Sequence, residues 1–379
     1  MKDGKQQRKS KVNRKKLWTA IAIVLLCAGL LWFGFSMYGK WQMSKVPSLS
    51  FQEALAYTTK DNPDAVITVG IIKDGQASYT VYGENGKELP REPHTYEIGS
   101  LTKTFTAAMI GRAAREGKIS LEASVSQYLA LPEGRQYPTI EGLLTHTSGC
   151  KGYYFAGPMA ANFLTGRNSF LGVTKDMVAA QAGKLDLPAG SCPFNYSNYG
   201  YALLGLILEA VEESDYTTLL NQFAQDDLGL SNTRISNQSG DLGKYWDWAP
   251  GDAYIPAGAV TSDINDMLVY AQMQLDESPY FAGCHDSLEV VNATPEQYRQ
   301  LGIRVDEIGM AWIIDRENGI IWHDGGTGDY NSYLGFSPET GTAVVILSNL
   351  PPRYRIPATV LGVKLLAEME NQSYERTMQ

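Results

Sequence analysis

Two stretches of the chain place a serine hydroxyl three residues before a lysine amine: Ser100-Leu-Thr-Lys103 and Ser148-Gly-Cys-Lys151. Residues i and i+3 of a helix share a face, so on a helix the amine reaches the hydroxyl and a nucleophile gains its own base. The second copy fails that requirement, because Gly149 and Gly152 interrupt a helix there. The first copy meets it. Gly99 precedes Ser100, and LTKTFTAAMIGRAAREGK continues as a helical run closed by Gly117. Ser100 then lies at a helix N-terminus, where backbone N–H groups stabilise negative charge. A lysine in that first turn is disfavoured as a cation, and burial lowers its pKa further.

Phe194-Asn-Tyr196-Ser-Asn198 is the second candidate. Alternate residues of an extended segment face one way, so Tyr196 and Asn198 point into one site. A phenol beside a lysine is expected to titrate low and carry the proton, with Asn198 bonding both Lys103 and a substrate amide. Taken alone, the segment also fits a plain turn. The third is Trp322-His323-Asp324-Gly325-Gly326, which begins in an apolar strand. Its glycines let a substrate backbone approach the strand edge. The Gly326 N–H is expected to pair with that of Ser100 as an oxyanion hole. Asp-Gly-Gly alone is also an ordinary β-turn.

In this order, Ser-x-x-Lys, Tyr-x-Asn and His-x-Gly resemble the layout of the serine β-lactamase and penicillin-binding-protein superfamily. The version here looks like its class C β-lactamase, D-alanyl-D-alanine carboxypeptidase and esterase branch. His323 stands where β-lactamases usually carry the lysine of Lys-Thr-Gly. Further stretches agree: Tyr96-Glu-Ile-Gly-Ser100, Leu143-Leu-Thr-His-Thr-Ser-Gly149, Pro256-Ala-Gly258 with Thr261–Met267, and Val345–Asn349. The resemblance covers roughly residues 51–367. It implies that Ser100 attacks an acyl carbonyl. Tyr196, with Lys103, removes the proton and returns it to the leaving group. The N–H groups of Ser100 and Gly326 hold the oxyanion, and Asn198, His323 and Gly325 orient the substrate. His146 becomes a structural position. The family's substrates are β-lactams, D-amino-acid peptides and esters, and no metal or cofactor is implied. Two readings from other classes stay open: a penicillin-binding sensor or scaffold that does not hydrolyse, and an exported carboxylesterase.

The chain departs from the family pattern at two cysteines. Cys150 replaces the usual Leu after Thr-Ser-Gly. Gly190 lies six positions before Tyr196 rather than five, with Cys192 and Pro193 between. Both segments border the site in the proteins this chain resembles, so a Cys150–Cys192 bridge that pins the Tyr196 loop is expected, leaving Cys284 free. The alternative is that both are small buried hydrophobes.

The elements that must position these residues are legible in outline. Phe51–Thr59 reads as a first helix. Ala65–Lys73 and Gln76–Gly83 are β-rich runs joined at Asp74-Gly75, a hairpin signal. Ile140–Leu144 starts a short helix, and Tyr199–Glu212 is strongly helical. Residues 235–255 are loop-like and aromatic. Tyr153, Tyr154, Phe155, Trp246 and Trp248 form either a lip to the cleft or ordinary loop packing. His94 and His285 are expected at the surface. Ile308–Ile314, Ile320–His323, Ser332–Phe336 and Ala343–Ser348 read as four strands, and Ala358–Glu370 as a last helix. The expected fold is α+β of the β-lactamase/transpeptidase kind. Strands from both chain ends form one antiparallel sheet with flanking helices, and the middle forms a mainly helical subdomain.

Composition bounds the rest. With 44% hydrophobic and 19% charged residues, the 379-residue chain is not mostly disordered. Residues 1–45 hold ten Lys/Arg and one acid, leaving 22 basic and 40 acidic residues for the body. An acidic body is a poor match for nucleic acid. Residues 1–16 form a basic tail. Residues 17–38, LWTAIAIVLLCAGLLWFGFSMY, carry no charge and reach ~33 Å as a helix, enough to span a bilayer core. No A-x-A-like site follows, which favours a signal anchor over a cleaved signal peptide. The expected organisation is a cytoplasmic tail (1–16), a single-pass transmembrane anchor (17–38), a linker (39–50) and an extracytoplasmic hydrolase domain (51–379).

Overall fold

The computed structural model describes residues 46–187 and 190–377. The tail, the expected anchor and most of the linker lie outside the described residues. Among the described residues no helix is long and apolar enough to cross a membrane. The chain divides into residues 1–49, whose described part is one 3-10 turn at Val46–Ser48, and residues 50–379.

The larger unit is built on an eight-stranded sheet and a three-stranded one. In chain order the strands are β1 (Ile67–Lys73), β2 (Gln76–Tyr82), β3 (Tyr96–Glu97), β4 (Arg234–Ile235), β5 (Val260–Ser262), β6 (Glu289–Val290), β7 (Glu307–Ile308), β8 (Ile313–Asp315), β9 (Ile320–Gly326), β10 (Asn331–Ser337) and β11 (Thr342–Ser348). The large sheet runs β2-β1-β11-β10-β9-β8-β7-β6 and the small one β3-β5-β4, with antiparallel pairing throughout. The β1–β2 hairpin therefore joins the C-terminal strands through β1–β11, as the sequence implies. Its turn works because Asp74 and Gly75 both take positive φ, 53° and 70°, the geometry a two-residue hairpin needs.

Alternation along β9, β10 and β11 sorts the side chains onto two faces. Leu334, Phe336, Ala343, Val345 and Leu347 join the main core. On the same face Gly70 of β1 leaves room for Ile264 and Leu268 of the Ile264–Leu275 helix, whose side chains a Cβ there would meet at 2.7 and 3.0 Å. Tyr333 points to the other face, against Gly362 of the Ala358–Thr377 helix. His323 pairs with Leu334 and Asp324 with Tyr333. His323 thus faces the helical subdomain, and Asp324 faces the back, where Thr359 donates to its Oδ2 at 2.5 Å.

The helical subdomain occupies the middle of the chain. Helices at Ile140–Leu144 and Asn198–Glu212 stand where the sequence places them, and those at Gly157–Thr165, Lys175–Ala182 and Tyr216–Gln222 are additional. The expected strand over Ile308–Ile314 is broken between β7 and β8. Gly309 passes so close to the Cys284 carbonyl that a Cβ would lie 2.5 Å from it, and Ala311 takes φ 71°. His285 is not a plain surface residue. It is half-buried against the rings of Trp312 and Phe336, its Nε2 lies 2.9 Å from Gln274 Oε1, and burial pushes its pKa down to about 4. His94 is also half-buried, with Nδ1 2.5 Å from Asp241 Oδ2.

Candidate active site

Ser100 lies in a 3-10 turn, Gly99–Leu101, that runs straight into the Thr102–Arg115 helix. That continuity keeps the i, i+3 relation the spacing predicts. Lys103 Nζ is 3.0 Å from Ser100 Oγ and donates to the Ala257 carbonyl at 2.6 Å. Lys103 is fully buried, and desolvation holds its pKa well below the usual lysine range against a smaller opposing pull from Asp324. The Ser148/Lys151 copy makes no such pair. Ser148 Oγ accepts from the Cys150 N–H, and Lys151 is exposed over the Tyr154 ring.

Gly99 is required twice over. Its φ is +50°, and a Cβ there would stand 2.5 Å from the Gly326 nitrogen. A Cβ on Gly325 would stand 1.9 Å from the Ile98 carbonyl oxygen and 2.5 Å from Ser332 Oγ. These two contacts press the end of β9 backbone-to-backbone against the turn that carries Ser100. Gly326 and Ser100 consequently line the same crevice, of about 80 Å³, together with Asn198, Trp246, Trp248, Phe170, Tyr254 and the Ala257–Gly258 backbone.

Tyr196 stands beside Lys103. Lys103 Nζ lies 4.9 Å from its ring centroid, and the His323 ring lies 6.3 Å from it. Its hydroxyl is buried and faces Ser100, but has no partner at hydrogen-bond geometry. The expectation of a phenol that titrates low is corrected here. Burial raises the Tyr196 pKa, and the Ser100 hydroxyl offsets only part of that. It is the Lys103 amine that is shifted toward its neutral form. His323 is likewise neutral, its pKa pushed down to about 3 by burial, and its Nδ1 is 2.6 Å from the Asp324 carbonyl while Nε2 has no partner.

Asn198 opens the Asn198–Glu212 helix, which Ser197 caps by accepting the Gly200 N–H at 2.9 Å. Asn198 lines the crevice, but the bonds of Lys103 go to Ser100 and Ala257 rather than to it. His146 holds the Tyr196 segment. Its Nδ1 accepts the Ser197 N–H at 3.1 Å, its carbonyl accepts the Asn195 N–H at 2.8 Å, and its ring lies 4.4 Å from that of Tyr196. Burial keeps the imidazole neutral, the form an accepting Nδ1 needs.

The expected Cys150–Cys192 bridge is not made: both, and Cys284, are free thiols. The Cys150 thiol is buried beside Ser148 and the Tyr154, Tyr199 and Tyr254 hydroxyls, and its pKa rises to about 11. The Cys192 thiol is near enough to add to that rise, and its sulfur lies over Gly149, 3.0 Å from where a Cβ would be. Packing, with backbone bonds such as Cys192 N–H to Thr147 carbonyl at 2.7 Å, fixes the loop.

Three contributors carry no clear signal in the sequence. Phe170 stacks on Tyr254 at 4.2 Å and walls the crevice. The Ala257 carbonyl holds Lys103, and only the Pro256-Ala-Gly258 stretch pointed there. Glu97, fully inside, accepts the Trp246 N–H at 2.6 Å and the Thr327 hydroxyl at 2.5 Å, which ties the aromatic loop to the end of β9. Desolvation raises its pKa to about 7, against those two bonds. A raised folded-state pKa adds stability that is fully present below the unfolded value of about 4.5 and is lost as pH rises through 7. The full shift corresponds to about 3 kcal/mol. In Glu97→Gln the fall in Tm between pH 5 and pH 8 is expected to shrink by several degrees. A parent-like slope in scanning calorimetry would rule this out.

The profile of the Beta-lactamase family matches residues 60–366. A "Beta-lactamase" of Pseudomonas fluorescens is 25% identical over 326 residues, spanning 75% of this chain and 88% of that protein. "Protein flp" of Staphylococcus aureus (strain N315) is 23% identical over 319 residues; the match spans 75% of this chain and only 59% of that relative. Among solved structures, a beta-lactamase/D-alanine carboxypeptidase from Yersinia pestis complexed with citrate superposes with a TM-score of 0.64 at 19% identity, over 86% of this chain and 98% of that one.

Proposed function

The chain belongs to the Beta-lactamase family of serine hydrolases, and from that premise we propose that it cleaves a D-amino-acid peptide, β-lactam or related amide or ester through an acyl-enzyme on Ser100. The observation that carries this is the Lys103 amine, buried, shifted toward neutrality and 3.0 Å from the Ser100 hydroxyl. In acylation Ser100 Oγ bonds to the substrate carbonyl carbon while its proton passes to the Lys103/Tyr196 pair. Lys103 is the first acceptor. The Ser100 and Gly326 N–H groups hold the oxyanion. As the carbon–leaving-group bond breaks, the pair returns the proton to the departing nitrogen or oxygen. Water then attacks the acyl-enzyme by the same route, releasing a carboxylic acid and restoring Ser100. Asn198, His323 and Gly325 orient the substrate. The role assigned to Asn198 rests on its lining the crevice, and that of His323 on its ring standing 6.3 Å from that of Tyr196.

Mass spectrometry of the full chain after exposure to a β-lactam, a D-Ala-D-Ala peptide and a 4-nitrophenyl ester tests this. A covalent adduct on the tryptic peptide containing Ser100 from at least one of them is expected. An adduct on Ser148, or none with any substrate or with a fluorophosphonate, overturns it. A long-lived adduct without product release would instead identify the penicillin-binding sensor.

The charge-free segment 17–38 after eight cations supports a single-pass anchor with the hydrolase domain outside the membrane. The full-length protein is expected to sediment with membranes after high-salt washing. External protease should release the active body. A native mature N-terminus beyond Tyr38 would overturn the anchor.

A further inference from the structure

The helix Gly157–Thr165 is docked through few residues. Met159 and Asn162 are its buried positions, and Asn162 Nδ2 donates to the Leu171 carbonyl at 2.8 Å. Its other large apolar side chains are turned out: Phe163 is 81% and Leu164 83% exposed, and the preceding Phe155 is 74% exposed. Exposed apolar residues scattered singly are ordinary, whereas a contiguous set marks a contact surface. These three line one open groove of about 610 Å³, with Tyr153 and Met159. Its described lining holds no acid and no cationic side chain.

The groove does not end blind. Phe170, Asn198 and Trp246 line both it and the crevice that holds Ser100. The shared walls are fixed: Phe170 stacks on Tyr254, and Glu97 holds the Trp246 backbone. A molecule with its carbonyl at Ser100 therefore has an uncharged apolar trough leading away past Asn198. A chain bound there on the acyl side stays attached to Ser100 between the two half-reactions and keeps the ester aligned for water. A leaving group held there would instead have to be released before water could attack.

We propose that this groove binds a hydrocarbon chain on the acyl side of the scissile bond, so that the preferred substrates are medium- or long-chain acyl esters or amides. The inference rests on the acyl-enzyme reading of Ser100 and specifies its substrate class. Full burial of a methylene is worth about a fourfold gain in binding. An open groove yields less of it.

The test uses the full chain in phosphatidylcholine nanodiscs, without detergent, and 4-nitrophenyl acetate, butyrate, octanoate and dodecanoate. The ratio of kcat/KM for octanoate to that for acetate is expected to be at least about tenfold. Phe163→Ser and Phe155→Ser should each lower that ratio about threefold or more, and Phe163→Leu should preserve it. A ratio near one, or the same ratio in the serine variants, overturns the proposal while fluorophosphonate labelling of Ser100 still upholds the acyl-enzyme. Absence of that labelling sinks both.

Discussion

Ser100→Ala is expected to abolish acylation by every substrate and by fluorophosphonates, lowering kcat by a factor on the order of 10⁴ to 10⁶. The expectation follows from how few groups meet at the crevice. Ser100 Oγ is the hydroxyl 3.0 Å from the buried Lys103 amine, in a turn pressed against Gly326. Ser148→Ala, in the other Ser-x-x-Lys copy, should leave labelling intact, because Ser148 serves the local Cys150 N–H. The Ser100→Ala protein should fold normally, since the change removes one oxygen from a half-exposed position. Intact-mass measurement after fluorophosphonate treatment checks both variants. A labelled Ser100→Ala protein, or an unlabelled Ser148→Ala protein, would reassign the nucleophile.

The contrast between those two copies shows what a sequence exposes and what it hides. Ser100 and Lys103 are tied by helical phase alone, so three residues of separation are enough to predict their contact. The Asp74-Gly75 turn and the alternation of β9 to β11 are local in the same way, and they place His323 and Asp324 on opposite faces. What stayed hidden depends on partners distant in the chain. The Ala257 carbonyl that holds Lys103 is 154 residues from it, and Thr327 is 230 residues from Glu97. The direction of the Tyr196 shift is hidden for the same reason. A neighbouring ammonium favours the phenolate, but burial of the hydroxyl opposes it more strongly, and burial is a property of the assembled fold. Likewise Cys150 and Cys192 sit in adjacent segments, near enough for the one thiol to act on the other, yet both remain free.

That correction shapes the second large effect. Tyr196→Phe and Lys103→Met are each expected to lower the acylation rate by about 10² to 10⁴, with the double variant losing little more than the worse single one. Non-additivity follows if the two act on one proton: once Lys103 cannot take it from Ser100, nothing remains for Tyr196 to relay. The stability readout should move differently. The Tyr196 hydroxyl is buried and faces Ser100 outside hydrogen-bond geometry, so little offsets its desolvation cost in the free protein. Tyr196→Phe is therefore expected to keep or slightly raise Tm while activity collapses, the pattern of a group retained for chemistry rather than folding. Lys103→Met also removes a buried amine but leaves the Ala257 carbonyl without its donor, so its Tm should change by little in either direction. Stopped-flow acylation of the four proteins across pH, with calorimetry alongside, decides this. In the parent the acid limb should lie well below lysine's usual value of about 10.5, because desolvation holds Lys103 down. Rate losses that multiply in the double variant would assign the two residues to separate steps. A Tm loss matching the activity loss in Tyr196→Phe would make that phenol structural.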